Sequence, residues 1–366
     1  MLTFQKNISL KPYHTFMMDI VADCLTIVSS LDDIRELRES PEYTNHRHNI
    51  IIGGGSNLLF TDNFHGLVII NQLHGKDIIQ QDEKECTIKV ASGEHRHAFV
   101  MRSIDNGRAG IENLALIPGT VGASPIQNIG AYGVEAGDCI VSVEWIDMLT
   151  GEMKTYTHDE CHFSYRNSIF KSQLKQDFFI TAVTFRLQKQ WKDYTPNLSY
   201  RGIADQLEKM WQTQWHGWWH TQSIKTIAEA VITLRQSKLP DWTQLGTAGS
   251  FFANPIISET EYQKLQTSFP DLVGHTTTNS SSLRGTKQST PPKGIKLSAW
   301  QLIELCWLKG YRDGDAGIYD RHALVLVNHG NASWPQMAQL ITHIQQSVQE
   351  KFGIMLMPEV NIIKKS

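Results

Sequence analysis

The segment from Glu112 to Gly133, ENLALIPGTVGASPIQNIGAYG, constrains the fold more than any other part of the chain. It holds four glycines, two prolines and one carboxylate, with neither lysine nor arginine. A loop this long and this uncharged must find partners for its backbone groups, because buried unpaired amides and carbonyls are costly. Glycine lacks Cβ, so its backbone can approach a ligand closely and turn amides toward it. Pro118-Gly119, Gly122-Ala123-Ser124-Pro125 and Gln127-Asn128 supply small residues, donors and acceptors without charge. That set suits a large, flat, neutral ligand with polar edges. A buried structural loop with internal partners is the alternative.

A second glycine run, Gly53-Gly54-Gly55-Ser56-Asn57, follows an apolar strand expected over 49–52. Successive free amides there would form a concavity for a pyrophosphate. The dinucleotide fingerprint G-x-G-x-x-G fails, since Leu58 stands at its sixth position, and the G-K-[ST] of a P-loop is absent. Alone, a Gly-Gly-Gly turn is a weak signal.

A chain of 366 residues is expected to form two or three domains. A net charge of −3 argues against a broad nucleic-acid-binding face. Cys24, Cys86, Cys139, Cys161 and Cys306 are scattered and include no C-x-x-C pair, so neither a disulfide framework nor zinc is expected. His158, Cys161 and His162 lie close together but lack a second ligand pair. The N-terminus has no signal-like apolar region and no run reaches bilayer-spanning length, which predicts a cytoplasmic, reduced protein. No internal repeat is present.

Strands are expected over 23–29, 49–52, 66–71, 86–92, 178–187 and 323–327, with a hairpin of 141–149 and 152–156 about Thr150-Gly151. Residues 353–363 read as a closing strand. Ser30 with Asp33 starts one helix, and 94–105 forms another. Ile224, Ile227, Val231 and Leu234 mark a helix that stops before Pro240. Capping boxes are expected at Ser258/Glu261, Ser298/Gln301 and Ser333/Gln336. Two segments look inserted. Residues 274–294 read as a Ser/Thr-rich flexible loop, and Trp211, Trp215, Trp218 and Trp219 share one helical face, read as packed or partner-facing.

GGGSN, the 112–133 segment, SYRNSIFK, AGSFFANP and MPEV occur in this order. Together they resemble the first type of the UDP-N-acetylenolpyruvoylglucosamine reductase family, flavoenzymes that complete UDP-N-acetylmuramate for bacterial cell walls. The resemblance runs from about Lys11 to Ile363 and is weakest over the two inserted segments. It implies an α+β protein: an N-terminal FAD-binding module of the vanillyl-alcohol-oxidase-like (PCMH) type and a C-terminal α+β substrate domain. The expected boundaries are 1–72 and 73–222 for two FAD-binding subdomains, 223–355 for the substrate domain, and 356–366 for a tail carrying Glu359.

The resemblance also implies non-covalent FAD, NADPH as co-substrate and the UDP-sugar as substrate, with no nucleic-acid or membrane partner. With no symmetric apolar interface in the sequence, a monomer is the default. Gly53, Gly54, Gly55, Ser56, Asn57, Pro118, Gly119, Gly122, Ala123, Ser124, Gln127, Asn128 and Gly130 would hold FAD, joined by Arg235. The family's reaction adds hydride to C3 of the enolpyruvyl group, which leaves negative charge at C2 and its carboxylate, and then a proton reaches C2. Arg166 matches the arginine that meets the carboxylate, and Ser250 the proton donor. Glu359 matches an acid that either orients the arginine or holds a proton. Tyr200, Lys238 and Asn254 match substrate-binding positions, Lys238 facing a diphosphate or 2′-phosphate.

One departure stands out. The family's mobile loop carries a tyrosine over the nucleotide, but residues 271–294 contain none; His275 lies near that place and Tyr262 precedes it. Two other readings are weighed: an oxygen-using oxidase with FAD tethered through a histidine such as His95 or His97, and a UDP-sugar-binding protein without flavin. Neither histidine lies in a glycine-rich attachment motif, and mere binding would not require the Arg166, Ser250 and Glu359 set.

Overall fold

The structure is a computed structural model and describes residues 1–46, 48–174, 178–189, 194–214, 223–277 and 294–364. Trp215, Trp218, Trp219 and residues 278–293 of the expected loop lie outside these.

The first sheet orders its strands Gln5–Ser9, Val21–Val28, Phe64–Asn71, Asn49–Ile52. The first pair is antiparallel and the other two pairings are parallel. Such parallel strands are covered on both faces, so Phe64–Asn71 is buried at every position but His65. One face packs Leu25, Val68 and Ile70 against the C-terminal half of the chain. The other packs Cys24, Val28, Leu67 and Ile69 against the Leu31–Glu39 helix and Phe179.

The second sheet is antiparallel, in the order Met153–Thr157, Ile140–Asp147, Phe178–Gln188, Glu85–Ala91, Lys76–Gln81. Its core includes the Arg96–Asp105 helix and the Ile224–Lys238 helix, which contributes Ile224, Ala228, Val231 and Leu234. Trp211, on the Arg201–Gln214 helix, packs half-buried against the same core. The third sheet, Gly246–Ser250, Val325–Asn328, Ala316–Ile318, Arg312–Asp313, is antiparallel and shares its core with Leu10, Phe16 and Phe60 from the chain's start.

Three local expectations fail, each for a physical reason. Residues 353–363 are not one strand. Gly353 adopts φ 71° to end the Trp334–Phe352 helix, and only Asn361–Ile363 forms a strand, parallel to Leu58–Phe60. The box at Ser298 does not form, because Gln301 uses its side chain on Val273 N–H and the Asp271 carbonyl. Residues 274–276 are not loop but strand, paired antiparallel with Ile295–Leu297. The Ser30/Asp33 and Ser258/Glu261 boxes form in full.

His14 links the fold to the first glycine run. It is 3% exposed and edge-on to Phe60; Nε2 donates to the Met18 carbonyl at 3.2 Å, and Nδ1 lacks a partner among the described residues. Burial pulls its pKa down to about 4, from 6.5. The unfolded chain therefore binds a proton near pH 6.5 that the folded chain refuses until about pH 4, so stability falls as pH drops through this window. At pH 5 the loss from this group is about 2 kcal/mol. Urea midpoints at pH 7 and 5 should drop less for His14→Gln than for the unsubstituted protein. Equal drops would contradict the assignment.

Candidate active site

The two glycine loops lie against each other. A Cβ built on Gly54 would stand 2.6 Å from the Gly119 Cα, and one on Gly53 would collide with the Thr120 hydroxyl. Gly55 has φ +57°, and a Cβ there would strike the Tyr13 carbonyl and His14. These positions need glycine because backbone meets backbone. Asn57 Nδ2 donates to Gln127 Oε1 at 3.2 Å, tying the loops at a second point. The amides of Gly54, Gly55, Ser56 and Asn57 donate to no protein acceptor among the described residues. Four neighbouring free donors on a half-exposed turn form an anion site, so the loop fits the diphosphate of FAD.

The 112–133 segment divides into a bound inner side and an open outer side. Gly122 N–H donates to Ser92, Ala123 N–H to Thr120 and Ser124 N–H to Val121 carbonyls. A Cβ on Gly122 would lie 2.5 Å from the Ser92 Cβ, so that glycine serves internal packing. Pro118 contributes its carbonyl, which accepts from Arg96 Nη1 at 2.7 Å. Asn128, fully buried at φ 46°, donates to Glu135 at 2.6 Å and to the Ser164 carbonyl, and accepts from Gly137 N–H. His97 Nδ1 accepts from Leu116 N–H at 3.0 Å, so its ring serves the loop. Leu116 to Gly119, Ile126 and Gln127 remain half-exposed.

Arg166 and Glu359, remote in sequence, form an ion pair: Nε stands 3.0 Å from Oε1, with 27% and 14% of their side chains exposed. Arg166 sits at φ 53°, a left-handed conformation that costs a non-glycine residue energy. A short turn closes around it, with Ser164 and Asn167 exchanging backbone hydrogen bonds, and Nη2 donates to the Gly130 carbonyl at 2.9 Å. Nη1 has no protein acceptor among the described residues. The tail reaches the site by pairing with the strand that follows the first glycine run. Asn361 N–H donates to the Asn57 carbonyl, and Glu359 N–H to the Phe251 carbonyl at 2.8 Å.

That last bond puts Glu359 one residue from Ser250. The register between Gly246–Ser250 and Val325–Asn328 shifts between Thr247 and Ser250. Gly249 takes φ +74° within this bulge, with open space where a Cβ would be. A bulge re-aims the residue that follows it. Ser250 emerges exposed, its hydroxyl without a hydrogen-bond partner among the described residues.

A second group lines the same loop. Tyr132 and Tyr200 meet edge-to-face at 4.9 Å, and the Lys238 ammonium lies 5.7 Å from the Tyr200 ring centre. Arg235 Nε donates to the Leu116 carbonyl at 3.2 Å. Burial lowers the Arg235 pKa. Asn254 has its oxygen occupied by Ala299 N–H at 2.9 Å, which caps the Ala299–Leu305 helix where Ser298 does not. Leu116, Asn128, Tyr132 and Arg166 all have positive φ, so strained backbone gathers here.

Sequence reading missed Arg96, Tyr132, Glu135, Tyr165, Lys171 and Lys296. Lys296 lies 4.7 Å from the Tyr165 ring centre, and burial together with Arg166 lowers its pKa. Burial and Asp138 raise the Glu135 pKa. Lys171 Nζ donates to the Arg166 carbonyl at 3.1 Å. Tyr165 adjoins Arg166 in the motif and could have been found there; Lys296 carries no local signal. The whole is a cation-rich cleft beside a free-amide turn, suited to an anionic substrate next to a diphosphate cofactor.

Comparison with known proteins gives the family. Residues 241–363 match the family model for the C-terminal domain of UDP-N-acetylenolpyruvoylglucosamine reductase, and residues 23–157 match the FAD binding domain. The UDP-N-acetylenolpyruvoylglucosamine reductase of Flavobacterium johnsoniae is 38% identical over 99% of this chain and 100% of its own. That of Chromobacterium violaceum is 39% identical over 99% of both chains. The reductase structure from Thermus caldophilus superposes with a TM-score of 0.65 at 23% identity, covering 99% of this chain and 100% of that one. A solvent-stable cholesterol oxidase gives 0.50 at 10% identity, covering 98% and 87%, which extends the fold to PCMH-type flavoproteins. No helix among the described residues is long and apolar enough to cross a membrane. The chain belongs to the UDP-N-acetylenolpyruvoylglucosamine reductase family, FAD-dependent oxidoreductases of peptidoglycan precursor synthesis.

Proposed function

We propose that the protein uses NADPH to reduce the enolpyruvyl group of UDP-N-acetylenolpyruvoylglucosamine, giving UDP-N-acetylmuramate in the cytoplasm. The observation that carries this reading is the Arg166–Glu359 pair, held between the two glycine loops one residue from Ser250. FAD, when bound, supplies the relay of hydride from NADPH to the vinyl carbon. The expected domains would divide this work, residues 1–222 holding the cofactor and 223–355 the UDP-sugar, although the 224–238 helix packs with the second sheet, and the 356–366 tail would return Glu359 to the cofactor side.

Arg166 receives the substrate carboxylate. Two of its guanidinium nitrogens are occupied by Glu359 and Gly130, which leaves Nη1, without a protein acceptor among the described residues, as a fixed, permanently charged donor. Negative charge that grows on the carboxylate during reduction is thereby met by a donor already in place. Glu359 acts as the orienting partner of Arg166, because its carboxylate accepts from Nε. Ser250, with a hydroxyl free of partners among the described residues, donates the proton to C2. Lys238, Arg235 and Tyr200 supply cations and an aromatic face for the diphosphate and the nucleotide.

Two experiments test this reading. Gly54→Ala places a methyl against the Gly119 backbone, so purified protein should lose most of its yellow colour and bind added FAD at least about tenfold more weakly. Undiminished flavin content would contradict the cradle. In stopped-flow measurements, Ser250→Ala should leave flavin reduction by NADPH intact and slow reoxidation by the enolpyruvyl substrate by about 10²- to 10⁴-fold. Equal loss in both half-reactions would refute the proton-donor role.

A further inference from the structure

We propose that Arg96 is the buried counter-cation of the FAD diphosphate, so that cofactor binding neutralises a charge the folded protein otherwise leaves unpaired. This rests on FAD occupying the two glycine loops.

Arg96 opens the Arg96–Asp105 helix and is 5% exposed. Its guanidinium spans the underside of the second loop: Nε donates to Ser124 Oγ at 2.9 Å, Nη1 to the Pro118 carbonyl at 2.7 Å and Nη2 to the Thr120 carbonyl at 2.9 Å. All three acceptors are neutral. No acidic side chain pairs with it among the described residues. Glu94, two residues earlier, is committed to Lys76 and to Gly75 N–H. The charged group acting on Arg96 is another cation, Arg235, and with burial it draws the Arg96 pKa down to about 9.

A cation buried without an anion is costly, and neutral carbonyls offset only part of that cost. Position supplies the missing partner. The point where a Gly119 Cβ would stand is 2.9 Å from Ser56 Oγ and 3.4 Å from Arg96 Nη2. Arg96 therefore lies one residue's width from the turn whose amides at Gly54, Gly55, Ser56 and Asn57 are free. A diphosphate on those amides would stand close to the guanidinium, in a setting where water screens little.

A staple that merely shaped the loop would matter equally for every flavin and in every state. A counter-cation would not. We would measure binding of FAD and of riboflavin, which lacks the diphosphate, and the melting temperatures of the cofactor-free and FAD-loaded protein, for the unsubstituted chain, Arg96→Met and Arg96→Lys. Arg96→Met should weaken FAD about 10- to 100-fold while leaving riboflavin affinity unchanged. It should lower the melting temperature more with FAD bound than without it. Arg96→Lys, which keeps the charge, should retain the preference for FAD over riboflavin. Parallel weakening of both flavins, equal destabilisation of both states, or loss of that preference in Arg96→Lys would each overturn the proposal. Where Arg96→Met yields no folded protein, the flavin preference of Arg96→Lys decides. Unsubstituted protein that binds no FAD would sink the flavin reading itself, a result distinct from these.

Discussion

The structure depends on the approach of Gly54 to Gly119, a contact so close that a methyl on the first would lie 2.6 Å from the second's Cα. It joins a turn of the first sheet to a loop that lies over the second. Everything polar about the site follows from this closeness. Backbone packed on backbone leaves no room for side chains between the loops, so the free amides of Gly54 to Asn57 remain open to a ligand. The loops are held from beneath by His97 and Ser92, and Arg96 spans the underside of the second loop next to the free-amide turn.

Three distant stretches then meet at this junction. The chain's tail pairs with Leu58–Phe60, Asn361 N–H bonding the Asn57 carbonyl and Glu359 N–H the Phe251 carbonyl. The turn from Ser164 to Asn167 holds Arg166 in a strained conformation, stabilised by Gly130 and Glu359. The bulge at Gly249 turns Ser250 out of its strand. Strain at Arg166 and bulging at Ser250 both cost stability, and the shared core running from Leu10 to Val360 is what tolerates them. Charge is distributed to match: cations surround the cleft, while Glu359 and Glu135 are each tied to a named partner.

Much of this was legible in the sequence, but unevenly. Local signals were reliable: Ser30 with Asp33, Ser258 with Glu261, and the apolar spacing from Ile224 to Leu234 gave helices where expected. The ordered motifs led to Arg166 and Glu359, which the fold pairs. What failed depended on partners far along the chain. Asn254, remote in sequence, caps the helix expected to start at Ser298, while Gln301 turns to Asp271 and Val273 instead of completing the box. Residues 353–363 read as one strand, yet only 361–363 form one, and the stretch before it is held instead by an isolated bridge of Phe252 with Pro358. Gly122 resembled a ligand-facing glycine and is an internal packing residue; only the position of Ser92 reveals this. Arg96 read as an ordinary helix residue, since its burial is imposed by a loop more than twenty positions away.

The most direct test of this account is a crystal structure with FAD and the enolpyruvyl substrate bound. It should show the diphosphate on the amides of Gly54 to Asn57, and Arg166 Nη1 on the substrate carboxylate with the Ser250 hydroxyl facing C2 across the flavin. A diphosphate bound away from the contact between Gly54 and Gly119, with Arg166 and Ser250 on opposite sides of the molecule from the flavin, would contradict it.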